Sequence, residues 1–175
     1  MLAKIMTNRL AKFQGCLVGA LLGDALGERF EGIHSQPIRM DIVTEYTMNL
    51  KENTKLLRDT DDTAMTRAIC RSLIEKKAYD NHDMARNFVE EYFNDPNRGY
   101  GAAVTTVFRK LKEENPVDET LPARDQFDGM GSYGNGASMR ISPLALYSKD
   151  YDELVKVRPN KINSRFLIRS EERRV

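Results

Sequence analysis

The sequence predicts an all-α fold, on three observations. Apolar residues recur at i, i+3 and i+4 along most of the chain, the period that gathers side chains on one face of a helix. Strictly alternating apolar and polar runs, which mark half-buried strands, are scarce. No repeat with a period of about 20 to 50 residues is present, so solenoids and propellers are excluded. With 175 residues, 41% of them hydrophobic and 30% charged, the chain suits one compact domain or a piece of one. A complete domain of this length buries about 70% of the surface its unfolded chain exposes.

Residues 1–12 form a basic segment. Lys4, Arg9 and Lys12 have no acidic neighbour, and Leu2, Ile5, Met6, Leu10 and Phe13 fall at helical spacing. That suits either the first helix of a domain or a mitochondrial leader. From Phe13 to Glu28 the glycines Gly15, Gly19, Gly23 and Gly27 lie four apart. Each interior glycine costs a helix about 1 kcal/mol relative to alanine. Close backbone approach is expected to offset this, with neighbours gripping the glycine face and Leu17, Leu21 and Ala25 filling beside it. Between Gly32 and Asp59 the stripe dissolves around Ser35, Gln36 and Pro37, and a long loop is expected.

Periodicity returns from Asp62 to Lys77 through Ala64, Met65, Ala68, Ile69 and Leu73. A further helix runs from about Asp83 to Phe93 on Met84, Ala85, Phe88, Val89, Tyr92 and Phe93, and Asn94-Asp95-Pro96 stops it. After the turn at Gly99 to Gly101, Val104, Val107, Phe108 and Leu111 predict a short helix, followed by a polar loop through Pro116 and Pro122.

Charge and cysteine content narrow the function classes. No uncharged run, Phe13 to Gly23 among them, exceeds 11 residues, well short of the roughly 20 a membrane-spanning helix needs. A net charge of +1 provides no global field toward nucleic acid or an anionic membrane, so neither is expected as a direct partner. Cys16 and Cys70 form no CxxC pattern and suggest neither a disulfide framework nor a zinc site, which fits a reducing compartment. No coiled-coil seam is present, and a monomer is expected.

Thr60-Asp61-Asp62-Thr63 carries the sharpest local signal, standing where the loop gives way to a helix. These residue types cap helices by accepting orphan N–H bonds and complementing the dipole. With Asp59 beside them they also suit a cation, because converging carboxylates repel and all-oxygen donors favour Mg²⁺ over zinc. The stretch Gly129-Met-Gly-Ser-Tyr-Gly-Asn-Gly136 has four glycines in eight residues. It reads as a flexible turn, or as a loop laying N–H groups against phosphate, with Ala137 to Arg140 beginning a helix behind it. Phe127 and Tyr133 suit packing or stacking on a base or ribose. Glu31 by itself reads as a surface residue, as do His34 and His82, which have no partner pattern. Asp24 is unusual, since an unpaired carboxylate on an apolar helix face is costly.

Four segments together resemble the ADP-ribosylglycohydrolase family: Phe13-Gln-Gly-Cys-Leu-Val-Gly-Ala-Leu-Leu-Gly-Asp-Ala-Leu-Gly27, Asp59-Thr-Asp-Asp-Thr-Ala-Met65, Arg98-Gly-Tyr-Gly-Ala102 and Gly131-Ser-Tyr-Gly-Asn-Gly136. Asp95-Pro-Asn-Arg-Gly-Tyr-Gly101 and Ala123-Arg-Asp-Gln-Phe127 look like the metazoan branch that hydrolyses serine-linked ADP-ribose, poly(ADP-ribose) and O-acetyl-ADP-ribose. The resemblance covers residues 13–157, read as the N-terminal part of the family's domain. It implies an all-α bundle with two Mg²⁺ ions beneath an ADP-ribose cleft, acting on ADP-ribosylated proteins or the polymer in nucleus and cytoplasm, with the mitochondrial matrix a further destination.

Carried over by position, the resemblance gives Thr60, Asp61, Asp62 and Glu31 as metal ligands and Glu31 and Asp61 as the catalytic groups. It gives Asp61, Phe127, Met130, Gly131, Ser132, Tyr133, Gly134, Asn135 and Gly136 as the substrate-binding set, with Phe127 and Tyr133 at the adenine end. Family members are longer and add a substrate-binding His and a second Asp-x-Asp-Thr segment. This chain has neither, so its second metal site is incomplete and impaired activity is expected. A non-catalytic ADP-ribose-binding fragment and an unstable truncated form are the alternatives. Residues 158–175 diverge and are basic, as in a foreign ending from alternative splicing or a mis-called exon.

Overall fold

The computed structural model describes residues 2–31, 37–50, 57–130 and 134–154, with side chains from residue 8 onward. The chain is all-α. Helix α1 spans Leu2–Gly27 and runs into a 3₁₀ turn at Glu28–Phe30. Helices α2 (Met40–Met48), α3 (Asp61–Lys76), α4 (Asn81–Asn94) and α5 (Ala102–Glu114) follow. Short α6 (Leu121–Arg124), a 3₁₀ turn at Gln126–Gly129 and α7 (Ser142–Tyr147) complete the order. Among the described residues no helix is long and apolar enough to cross a membrane.

The core lies between α3, α4 and α5, where the sequence stripes are strongest. Ala64, Met65, Ala68 and Ile69 from α3 are fully buried, and Met84, Phe88 and Tyr92 from α4 face them. Val107, Phe108 and Leu111 close the layer from α5, and Leu144 of α7 seals one end. Local chemistry fixes the helix ends. Asp80 caps α4 by accepting the Asp83 N–H at 2.9 Å, and Lys77 closes α3 in the left-handed region at φ 52°. Lys112 of α5 lies 3.7 Å from the centre of the Phe93 ring on α4, a cation–π contact across the layer.

Three expectations are corrected. The 32–59 region is not all loop, because it holds α2, whose residues are none of them buried and which therefore lacks the one-sided stripe that would have revealed it. The expected helix start at Ala137 to Arg140 is instead a run of turns, in which the Ser138 and Met139 N–H groups both bond the Asn135 carbonyl. Among the described residues nothing grips the glycine face of α1: a Cβ placed on Gly15, Gly19, Gly23 or Gly27 would meet none of their atoms within 4 Å. The other described elements meet α1 near its C-terminal end, where Ala25 is its buried residue, and Val18, Leu21 and Leu22 remain exposed. His82 is exposed, as expected, but its Nδ1 pairs with Glu119 at 2.8 Å. His34 lies outside the described residues.

Candidate active site

The site forms at the N-terminus of α3, where the first backbone N–H groups have no intrahelical acceptor. Asp24 supplies one from α1. Its Oδ2 accepts the Thr60 N–H at 2.9 Å and the Thr63 N–H at 3.1 Å. Its two oxygens also accept the hydroxyls of Thr60, at 2.6 Å, and Thr63. The carboxylate that looked costly on an apolar helix is thus saturated by donors and lies at the positive end of a second helix. Thr60, buried at 4% exposure, caps α3 itself by accepting the Asp62 N–H at 3.3 Å.

Asp61 and Asp62 occupy the first turn of α3, and Glu31 follows the 3₁₀ turn at the end of α1. Burial pushes the Asp62 carboxyl up to about 6, helped by the negative charges of Asp61, Asp24 and Glu31. Burial also raises Asp61, with Glu31 and Asp24 adding to it. Glu31 is raised as well, first by burial and then by Asp24 and Glu28. The four side chains Asp24, Glu31, Asp61 and Asp62 therefore share one field. The cation set against it is Arg140, a residue the sequence reading missed. Arg140 is buried, with its guanidinium 4.7 Å from the Phe88 ring centre. Burial draws its pKa down to about 10 while Asp61 and Asp62 hold it up, so it stays charged at neutral pH.

Asp59, the third acid of the sequence cluster, belongs to a different network. Burial would raise it, but the Arg98 hydrogen bond, the Arg98 charge and Arg67 outweigh burial and hold it below the usual carboxylate range. Arg98 Nη1 lies 2.7 Å from Asp59 and its Nε 3.2 Å from Asp95. The Arg98 carbonyl in turn accepts the Asp61 N–H at 2.8 Å. Gly99 follows at φ +87°, where a Cβ would stand 3.8 Å from Asp61 Oδ1. Behind this, buried Glu91 accepts from Arg67 Nε (2.9 Å), Arg67 Nη2 (2.7 Å) and Arg71 Nη2 (3.1 Å). The acidic turn is therefore held by ion pairs that do not enter it.

Asp61 opens onto a cavity of about 310 Å³ that Tyr100, Phe127, Gly134, Asn135, Gly136 and Arg140 also line. Phe127, Asp128 and Gly129 all have positive φ, a sharp turn that carries Phe127 to this wall. Met130 is 56% exposed and lies outside the lining. Gly131, Ser132 and Tyr133 lie outside the described residues. Glu31, Thr60 and Asp62 are not part of the cavity wall; Asp62 borders a separate groove between α1 and α3, with Asp24, Leu17, Leu21 and Met139.

A family model described as ADP-ribosylglycohydrolase matches residues 6–159. The chain belongs to this family. The human protein named ADP-ribosylhydrolase ARH3 is 45% identical over 152 residues, covering 82% of this chain and 41% of that relative. The mouse protein of the same name is 45% identical over 152 residues, covering 82% and 40%. The chicken protein is 42% identical over 157 residues, covering 83% and 42%. The chain thus spans about two fifths of the length of these curated relatives. Membership carries the metal question to the acidic turn of this ADP-ribosylglycohydrolase chain. The oxygen donors there suit a hard divalent cation in kind, and their mutual repulsion would be relieved by one. They fall short in number, because among the described residues no three His, Cys, Asp or Glu side chains converge closely enough to hold a metal ion.

Proposed function

We propose that the chain carries one part of an Mg²⁺-dependent ADP-ribosyl hydrolase site acting on serine-linked ADP-ribose, poly(ADP-ribose) or O-acetyl-ADP-ribose. The observation that supports this is the shared electrostatic field of Asp24 from α1, Glu31 and the first-turn acids Asp61 and Asp62 of α3, with Asp61 also lining the cavity. Hydrolysis at an anomeric carbon breaks the bond to the leaving oxygen, forms a bond to a water oxygen and moves one proton from water and one to the leaving group. Bound Mg²⁺ would orient ribose hydroxyls and polarise that water.

The residues of the chain supply the remainder. Asp61 lines the cavity with its carboxyl raised above the ordinary range by burial, and is the first proton-handling group. Glu31, raised by burial and by Asp24, is the second proton-handling group. Thr60, Asp61, Asp62 and Glu31 are the proposed oxygen donors to metal. By the family resemblance, Phe127 and Tyr133 are the proposed stacking groups for the adenine end, Ser132 and Asn135 the contacts near phosphate, and Met130, Gly131, Gly134 and Gly136 the rest of the substrate-binding set.

The test measures release of ADP-ribose from a serine-modified peptide with and without Mg²⁺, repeated with Asp61→Ala and Asp62→Ala. Metal-dependent turnover that both substitutions abolish supports the reading. A second reading, a non-catalytic ADP-ribose-binding fragment, is favoured because among the described residues no three His, Cys, Asp or Glu side chains come together as a metal-holding group. Binding of ADP-ribose by calorimetry without turnover would select it.

A further inference from the structure

A second hollow, a groove of about 260 Å³, adjoins the cavity at Phe127. Ala103, Val107, Gln126 and Phe127 line both, so the two share one wall. The rest of the groove comes from one face of α5, where Thr106 and Lys110 stand four apart, and from α6 and its end, where Pro122 and Asp125 lie. Thr106, Lys110, Asp125 and Phe127 are all exposed, so a ligand in the groove can reach them. Two neighbouring cations are already engaged: Lys112 lies on the Phe93 ring and Arg124 pairs with Asp118 at 3.1 Å. Among the described residues Lys110 and Asp125 enter no ion pair.

The mixture of groups selects the kind of ligand. A bare anion would meet the Asp125 carboxylate as well as the Lys110 ammonium. A sugar phosphate suits both, because a carboxylate, a hydroxyl and an amide exchange hydrogen bonds with sugar hydroxyls while the ammonium takes the phosphate. Val107, Pro122 and Phe127 give the sugar an apolar floor. In poly(ADP-ribose) the adenosine ribose of each unit is bonded through its 2′-hydroxyl to the ribose of the next unit, which carries a 5-phosphate. A chain whose adenine lies at Phe127 therefore continues past that ring as a ribose 5-phosphate. We propose that the groove is a second subsite, taking the ribose 5-phosphate by which a poly(ADP-ribose) chain continues beyond the unit held in the cavity. Lys110 binds the phosphate, and Thr106 and Asp125 bind the sugar hydroxyls. This rests on the ADP-ribose reading above and extends it from a single unit to the interior of the polymer.

The test is calorimetric titration of the full chain with two ligands, ADP-ribose and ADP-ribose carrying a 5-phosphoribosyl group on its adenosine 2′-hydroxyl, repeated with Lys110→Ala and with Thr106→Trp. The first variant removes the cation, and the second fills the groove without changing its charge. The expected result is that the extended ligand binds the unsubstituted chain about 3- to 10-fold more tightly than ADP-ribose, and that each substitution removes most of this advantage while ADP-ribose itself binds all three proteins alike. Equal affinity for the two ligands in the unsubstituted chain overturns the subsite. An advantage that survives either substitution also overturns it, since the added group would then lie elsewhere or be held by charge alone. In both cases ADP-ribose binding stands and the functional reading is untouched. If the unsubstituted chain binds neither ligand, that reading itself falls and takes the subsite with it.

Discussion

The Asp24 carboxylate and the Thr60 hydroxyl, 36 residues apart in sequence, meet at 2.6 Å across the junction of α1 with α3. With Thr63 they form a capping arrangement in which one helix terminates the orphan donors of another. The same contact sets the distance between the acids of α3 and Glu31, which follows the 3₁₀ turn at the end of α1. A stability element and the candidate site are therefore one piece of geometry.

Asp24→Ala leaves two N–H groups and two hydroxyls without their acceptor and is expected to cost about 2–4 kcal/mol. Urea unfolding measures the loss, and limited proteolysis should show α1 cut before α3. Asp24→Asn, which keeps an acceptor oxygen, should cost less than half as much. A loss below about 0.5 kcal/mol for the alanine variant would mean that the α1–α3 junction is not held by this carboxylate.

Glu91 holds Arg67 and Arg71 while itself only 5% exposed. Its partners Arg67 and Arg71 are 42% and 39% exposed, so Glu91→Ala removes the buried anchor but leaves solvated cations, and is expected to cost about 1–3 kcal/mol. Arg71→Ala, at the solvent side of the network, should cost less than about 1 kcal/mol. Chemical denaturation of both variants ranks them, and the reverse order would refute the assignment of Glu91 as the hub.

Much of this was legible in the chain and some was not, for reasons that differ by residue. The stripes of α3, α4 and α5 show in sequence because one face of each helix is buried. No residue of α2 is fully buried, with Val43 and Tyr46 only half-covered, so it leaves too weak a period to read. Asp24 is visible as an anomaly, but its partners are not, because nothing local connects position 24 to positions 60 and 63. The acids at 59, 61 and 62 look alike in sequence. Only the fold separates Asp59, paired with Arg98 and Arg67, from the pair that faces Glu31. Arg140 sits in a run of turns with no period to mark it as buried. The glycine spacing of α1 promised close neighbours that the described residues do not supply.

Arg140 is the positive charge set against Asp61 and Asp62. Arg140→Met keeps an apolar body against Phe88 and removes that charge. The expected outcome is a further upward shift of the Asp62 carboxyl, from about 6 in the unsubstituted chain. Carboxyl-carbon NMR titration reads it directly. Arg140→Lys should restore part of the shift, because the ammonium keeps the charge without the planar contact to the ring. An unmoved midpoint in Arg140→Met would show that the guanidinium does not act on the acidic turn.

The raised carboxyl of Asp62 also gives stability a definite pH dependence. Its ordinary value is 3.8 and its folded value about 6, so between these limits the native state binds a proton that the unfolded chain does not. By linkage the contribution is fully present below the unfolded value and is lost as pH rises through about 6. Asp61 and Glu31, also raised, add to the same slope. Asp62→Asn cannot ionise. It should match the unsubstituted chain near pH 4 and exceed it at about pH 7.5, by no more than about 1 kcal/mol because Asp62 is only half-buried. Added Mg²⁺ at the higher pH should stabilise the unsubstituted chain more than the variant, since the cation relieves a repulsion that the amide has already removed. Urea midpoints at the two pH values, with and without the metal, decide the matter. A variant less stable than its parent at the higher pH would show that the ionised carboxylate supports the fold instead of straining it.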